Sequence, residues 1–259
     1  TLNAVIFAPE DLSIVKGKPA RRRRFLDMGI SQVYPAYVYH LSRYYRVLAQ
    51  RNNLLKQLWQ SQDAVSLLDV LNEQLVTAGV QVMLKRSQFI RTIEPWAQRI
   101  QMQMTDGQER LELVYRTFID DLEQKDEDKL SEEYFTQIKQ REDKEFERRT
   151  TLIGPHRDDI AFRVNGIDVQ TFGSQGQQRT TALSIKLAEI ELVYEVIGEY
   201  PILLLDDVLS ELDTARQTHL IASIQDKVQT FLTTTSTDGI DQRTLAVAAV
   251  YDVTEGKVR

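Results

Sequence analysis

Residues 201–213 read Pro-Ile-Leu-Leu-Leu-Asp-Asp-Val-Leu-Ser-Glu-Leu-Asp, an apolar run that ends on two adjacent carboxylates. Ile202–Leu205 is apolar at every position, which fits a strand buried on both faces. Such strands belong to parallel sheets covered by helices. In open α/β sheets, ligands bind where the strands end. Asp206 is then placed to hold a Mg²⁺ ion through water, and Asp207 to orient or deprotonate an attacking water. A strand followed by an Asp-Asp helix cap would leave a similar trace, but it gives no reason for the Ser210-Glu-Leu-Asp213 that follows.

The rest of the chain falls into two textures. Residues 2–8 predict a short strand ending at Pro9. The stretch 19–149 predicts a mostly helical unit: a helix over Lys16–Asp27 with Pro19 in its first turn, and a long helix from Pro35 to about Gln60. Another follows, capped by Asp63 and bent or restarted at Pro95, then a strand over 109–116 and a charged helix over 131–149. From Thr150 the pattern turns α/β. Asn165-Gly166 between two apolar runs signals a tight hairpin. A helix over 174–197, the strand at 202–205, a helix over 213–225, a strand over 228–234 and a last helix and strand follow.

A second constellation, Phe172-Gly-Ser174-Gln175-Gly176-Gln177-Gln178-Arg179, opens a helix; its Ser174 lies 32 residues before Asp206. Small residues there let backbone N–H groups approach an anion, and the helix terminus adds partial positive charge. The order of the whole block resembles the C-terminal lobe of ABC-class ATPases. Ser174, Gln175, Gly176 and Gln177 stand at the signature, with Gln175 where its first glycine usually sits. Ser210 and Asp213 stand in the D-loop, Thr235 where transporters carry a switch histidine. A threonine cannot relay a proton near neutrality as imidazole does, so slow turnover is expected. None of the eleven glycines opens a G-x-x-x-x-G-K-[ST] loop. Thr1-Leu-Asn-Ala-Val-Ile-Phe reads as a chain opened within a strand, so a fragment without its Walker A segment, inactive alone, is expected.

Charge is distributed unevenly. Residues 1–60 carry ten Lys or Arg against three acids, within a chain of net charge −6. A phosphate-facing surface depends on the local field, not the total. Lys16, Lys18, Arg21, Arg22, Arg23 and Arg24 are therefore the candidate DNA contacts. Four consecutive arginines cannot share one helix face, so at least one is expected to pair with Asp27 or pack its stem. The absence of cysteine excludes disulfides and suits a reducing, cytoplasmic setting. No apolar run approaches the ~20 residues of a membrane span, so no membrane association is expected.

Phe7-Ala-Pro-Glu-Asp-Leu12, Lys18-Pro-Ala-Arg-Arg-Arg-Arg-Phe-Leu-Asp27, Gly154-Pro-His-Arg-Asp-Asp159, Phe172 to Thr180 and Leu203 to Asp213 together resemble the RecF family. The resemblance implies an ATP- and Mg-dependent homodimer that clamps gapped duplex or single-strand/double-strand junction DNA. It also implies work with RecR and RecO to load RecA. Residues 1–18 would end the ATPase N-terminal part, 19–149 would be the arm, and 150–259 the C-terminal lobe. His156 and Arg157 are assigned a site role by the resemblance alone; an ion-pair turn is the other reading. Tyr37, Tyr39, Tyr44 and Tyr45 read as a core stripe before a stacking platform. His40 and His219 have no partner cluster, so no histidine metal site is expected. A transporter nucleotide-binding domain lacks support without a Walker A loop and switch histidine, and an SMC-like tether without long heptads. A non-enzymatic interaction module stays open for the isolated chain.

Overall fold

The computed structural model describes residues 3–57, 63–225, 227–237, 240 and 242–258. In chain order these form β1 (Ala4–Phe7), α1 (Ser13–Lys16), α2 (Pro19–Val33), α3 (Pro35–Gln57), α4 (Asp63–Met104), β2 (Leu111–Arg116), α5 (Glu127–Arg148) and β3 (Asp159–Val164). Then come β4 (Ile167–Asp168), α6 (Val169–Phe172), α7 (Gln175–Ile197), β5 (Ile202–Asp206), α8 (Thr214–Ile224), β6 (Thr230–Thr233), α9 (Gln242–Val247), β7 (Val253–Thr254) and β8 (Lys257–Val258). The expected helix end at Leu58–Gln60 and the Asp63 cap lie outside the described residues and side chains. No helix among the described residues is long and apolar enough to cross a membrane.

Strands β1, β5 and β6 form a wholly parallel sheet with β5 in the middle; Ala4 faces Ile202, and Leu203 faces Thr230. Val5, Phe7, Leu203 and Leu205 point into the core. The other face is open: Ile6 is 54% and Phe231 55% exposed. The apolar run of β5 therefore follows from its central place, and one of its two faces is only partly covered. Helix α7 lies against the covered side, buried almost without interruption from Thr180 to Val193. A helix buried around nearly its whole circumference must sit inside other elements, and α1, α2, α4 and β1 pack against it.

A second sheet is antiparallel. β2 pairs with β3 from Leu111↔Val164 to Arg116↔Asp159, and β3 turns into β4. Asn165 and Gly166 take φ of 51° and 80°, the left-handed pair that a two-residue hairpin needs. Because β2 belongs to the helical stretch and β3 follows it, this ladder crosses the expected boundary at residue 150. The expected hairpin at Asn165-Gly166 is present, and its strands join β2 in an antiparallel sheet separate from the parallel one. The long helices α3, α4 and α5 pack together as the arm, and α4 also runs along α7. Of the two readings at Pro95, a restart is not seen: α4 continues through it to Met104. Burial of Ile93, Ala97 and Ile100 on the side facing the core outweighs the one helix hydrogen bond that proline removes.

Buried charge ties the helices of the 19–149 stretch to one another and to the Gly154–Asp159 block. Arg86 of α4 grips Asp27 of α2 through Nη2 (2.8 and 3.0 Å) and donates from Nη1 to the Pro155 carbonyl (2.6 Å). Arg51 of α3 meets Glu145 of α5 at 2.6 Å, both fully buried. Gly154 sits against Tyr134, Tyr44 and His156 at φ 126°, where an added Cβ would stand 2.1 Å from the Tyr134 hydroxyl. Only glycine fits that backbone.

Candidate functional site

The strands deliver two acids at their shared C-terminal end, and a third residue organises them. Thr233, the last residue of β6, donates its hydroxyl to Asp206 (2.7 Å). The same hydroxyl accepts from the Asp207 N–H (3.0 Å), which also reaches the Thr233 carbonyl (3.2 Å). Asp207 is held in the left-handed region at φ 49°. That conformation is uncommon for a side chain other than glycine, though Asp tolerates it better than most. Ser210 caps the turn, donating to the Asp207 carbonyl at 2.8 Å. Asp206 is exposed, while Asp207 Oδ1 is buried with no hydrogen-bond partner among the described residues.

The signature segment forms a tight N-terminus for α7. Ser174 Oγ accepts from the Gln177 N–H (3.2 Å), and Gln177 Oε1 accepts from the Ser174 N–H (3.0 Å), a reciprocal capping box. Gln178 ties the turn back to the carbonyls of Val169 and Gly173, each at 3.2 Å. Ser174 and Gln175 are exposed, and Phe172 beside them is 75% exposed. Asp213 caps α8 by accepting from the Arg216 N–H (2.9 Å). That amide, then the neighbouring guanidinium, hold the Asp213 carboxyl below its usual range. Arg216 Nε in turn donates to Thr180 Oγ1 of α7 (2.7 Å). Signature and D-loop thus meet through one side chain. Thr235 lies in the bend after β6 and is exposed; the threonine that touches the acids is Thr233. Sequence spacing missed both Thr233 and Arg216, although Asp213-x-x-Arg216 is a cap spacing that could have marked the second.

The basic cluster divides sharply. Arg22 is 1% exposed and grips Asp159 at 2.6 and 2.8 Å, with Nη1 on the Gly17 carbonyl at 2.7 Å. It cannot reach a phosphate, so its assignment as a DNA contact is corrected. The expected partner changes too: Asp27 pairs with Arg86, and Arg22 with Asp159. Arg23 is half-buried and donates to the Asp158 carbonyl (2.9 Å). Lys16, Lys18, Arg21 and Arg24 are exposed. Arg21 hydrogen-bonds to Ser13. Arg23 and Arg24 line an open groove of about 650 Å³ with Met28, Leu41 and Tyr45. Of the four tyrosines, Tyr37 and Tyr44 are core, and Tyr39 and Tyr45 are exposed.

The Gly154–Asp159 block is wired into the arm. His156 Nδ1 accepts from the Tyr44 hydroxyl (2.6 Å), and its Nε2 faces the Thr151 carbonyl (3.2 Å). Burial pulls the imidazole down to about 4, with Arg157, Arg23 and Arg51 pushing the same way against that carbonyl. Asp158 accepts from the Tyr115 hydroxyl (2.6 Å), and burial raises its carboxyl. Arg157 is exposed and makes a long contact to the Thr151 carbonyl (3.4 Å). No cluster of three or more metal-ligating side chains exists among the described residues.

No family model matches the chain. Curated relatives do. The DNA replication and repair protein RecF of Halalkalibacterium halodurans is 52% identical over 258 residues, covering all of this chain and 70% of that protein. The protein of the same name from Bacillus subtilis is 56% identical over 256 residues, covering 98% and 69%. The solved structure of the recombination mediator protein RecF with ATPγS in the RecFOR pathway superposes with a TM-score of 0.88 at 32% identity. It covers 99% of this chain and 67% of that one.

Proposed function

The chain belongs to the RecF family of DNA replication and repair proteins, and from that premise we propose that it is the signature-bearing part of an ATP-dependent DNA clamp in recombinational repair. Its fold is that of an ABC-type ATPase C-terminal lobe with a mostly helical arm, and the RecF relatives set the transporter reading aside. The relatives extend beyond it, since the chain spans about 70% of their length. In this reading ATP draws two copies together. Ser174, Gln175, Gly176 and Gln177 of one face the nucleotide carried by the other, and Ser210 and Asp213 cross the same interface. The exposed Phe172 beside the signature is apolar surface suited to being covered there.

The observation that carries the reading is the state of Asp207. A buried carboxylate oxygen without a partner is costly and marks a group held ready for a ligand. Asp206, oriented by Thr233, would hold a Mg²⁺ ion through water, which suits a cation that keeps its hydration shell. The ion would neutralise charge on the phosphates. Asp207 would orient the attacking water and take its proton. Thr235, without imidazole chemistry, fits a slow switch. Lys16, Lys18, Arg21, Arg23 and Arg24 would contact DNA at gaps or single-strand/double-strand junctions, and RecR, RecO and RecA would be the working partners. The 259-residue chain alone, with no Walker A sequence, is expected not to hydrolyse ATP.

The test is binding of a gapped duplex by the full-length protein carrying Asp207→Asn, with and without ATP and Mg²⁺. Tight binding and dimerisation only with ATP supports the clamp and places Asp207 at hydrolysis. Binding indifferent to ATP removes the switch mechanism.

A further inference from the structure

Arg216 makes three contacts, two from its side chain and one from its backbone. Its Nε donates to Thr180 Oγ1 at 2.7 Å, its Nη1 pairs with Asp213, and its backbone N–H caps onto the same Asp213 at 2.9 Å. Thr180 Oγ1 passes the link on, donating to the Gly176 carbonyl at 2.9 Å. The guanidinium also lies close to Gly176 itself: a Cβ there would stand 3.3 Å from Nη2. Thr180 is wholly buried and Arg216 half-buried, so the link runs behind the exposed signature and D-loop surfaces, not on them.

We propose that Arg216 is a positioning residue that locks the D-loop to the signature helix, so that both are offered to a second copy of this chain as one rigid surface. The inference rests on the clamp reading and adds the device that sets its geometry. Two short segments that must meet the same partner lose less freedom on association if they are already fixed to one another. A planar fork with separate donors can serve a hydroxyl and a carboxylate at once, whereas a lysine ammonium on a flexible stem is a single point charge. Thr180 supplies a hydroxyl on the inner face of α7, one turn from Gly176, where the backbone must come closest. Neither Arg216 nor Thr180 needs to touch nucleotide for this.

The experiment uses the full-length protein with Arg216→Ala, Arg216→Lys, Thr180→Val and the Thr180→Val/Arg216→Ala double variant. Sedimentation velocity reads ATP-dependent self-association, a fluorescent ATP analogue reads nucleotide affinity of the monomer, and amide exchange reads residues 175–178. Losing one charge-assisted hydrogen bond of this kind is worth about tenfold in an equilibrium constant. Arg216→Ala and Thr180→Val are each expected to weaken self-association about tenfold and to speed exchange at 175–178. Monomer nucleotide affinity should stay within about twofold of the parent. The double variant should be no worse than Arg216→Ala alone, because the two act through one bond. Arg216→Lys should resemble Arg216→Ala. Self-association unchanged in Arg216→Ala, or losses that multiply in the double variant, would overturn the coupling while leaving the clamp intact. A parent protein that does not self-associate on ATP would remove the clamp reading and this inference with it. Thr180→Val decides the matter from the α7 side if Arg216→Ala folds poorly.

Discussion

Arg51→Ala should be among the most damaging single changes in the arm. Arg51 has no exposed surface and holds three elements at once. Nε donates to Asn72 Oδ1 of α4 (2.7 Å), Nη1 to Thr151 Oγ1 (2.8 Å), and Nη2 to Glu145 Oε2 of α5 (2.6 Å). Truncation leaves Glu145 buried with only the Leu152 N–H on its other oxygen (2.7 Å). Stranding one partner of a buried ion pair costs about 3–5 kcal/mol. For a chain of this size each kcal/mol moves the midpoint by roughly 2–4 °C, so thermal unfolding followed by circular dichroism should fall by about 6–20 °C. The reasoning also fixes the behaviour of a second variant. Arg51→Met with Glu145→Met removes both charges and both desolvation penalties, and should regain at least half of the loss. A midpoint for Arg51→Ala within about 2 °C of the parent, or a double variant no better than the single, would show that the pair is not what joins α3 to α5.

Two further outcomes follow from the same wiring. His156 is held near 4 in the fold, below the ordinary imidazole value, so the unfolded chain takes up its proton first as pH falls. Its contribution is therefore full above about pH 6.5 and lost toward pH 4, by up to about 3 kcal/mol. The difference in urea stability between parent and His156→Gln should narrow across that window, and a constant difference would contradict the assignment. Arg22→Ala should lower the melting midpoint and leave the salt dependence of DNA binding by the full-length protein unchanged. Arg24→Ala or Lys18→Ala should each reduce that slope by about one, and a slope change in Arg22→Ala without lost stability would reverse the division.

What the sequence made legible is what lies close along the chain. The apolar run into Asp206, the Asn165-Gly166 turn and the helix opening at Ser174 are each set within a few residues, and each appears in the fold. The starts expected for two helices, 174 and 213, lie one residue before α7 and α8, whereas the helix expected over Lys16–Asp27 is split into α1 and α2, the second running on to Val33. What it could not give is pairing at distance. Arg22 and Asp159 are 137 positions apart, and Arg51 and Glu145 are 94 apart. Four consecutive arginines state that one must turn inward, but which one depends on where β3 lies. The same holds for Thr233, whose role exists only because β6 is laid parallel to β5 with Thr233 opposite Asp206. Pro95 fails as a break signal for a related reason: tertiary burial on both sides of it decides the helix.

The acids separate by whether the fold uses them up. Asp27, Glu145, Asp158 and Asp159 are each held by an arginine or a tyrosine, and Glu189 by Lys186 at 2.6 Å. These are paired groups, and their replacement should be felt as stability. Asp207 Oδ1 is the buried carboxylate oxygen left, among the described residues, with neither a hydrogen bond nor an ion pair. It stands on a left-handed backbone beside an exposed Asp206. A fold that pairs its other buried carboxylates and leaves this one open keeps it open at a cost. The cost makes sense where strands end and a ligand could complete the shell, which supports the role proposed for Asp207 without reference to any motif.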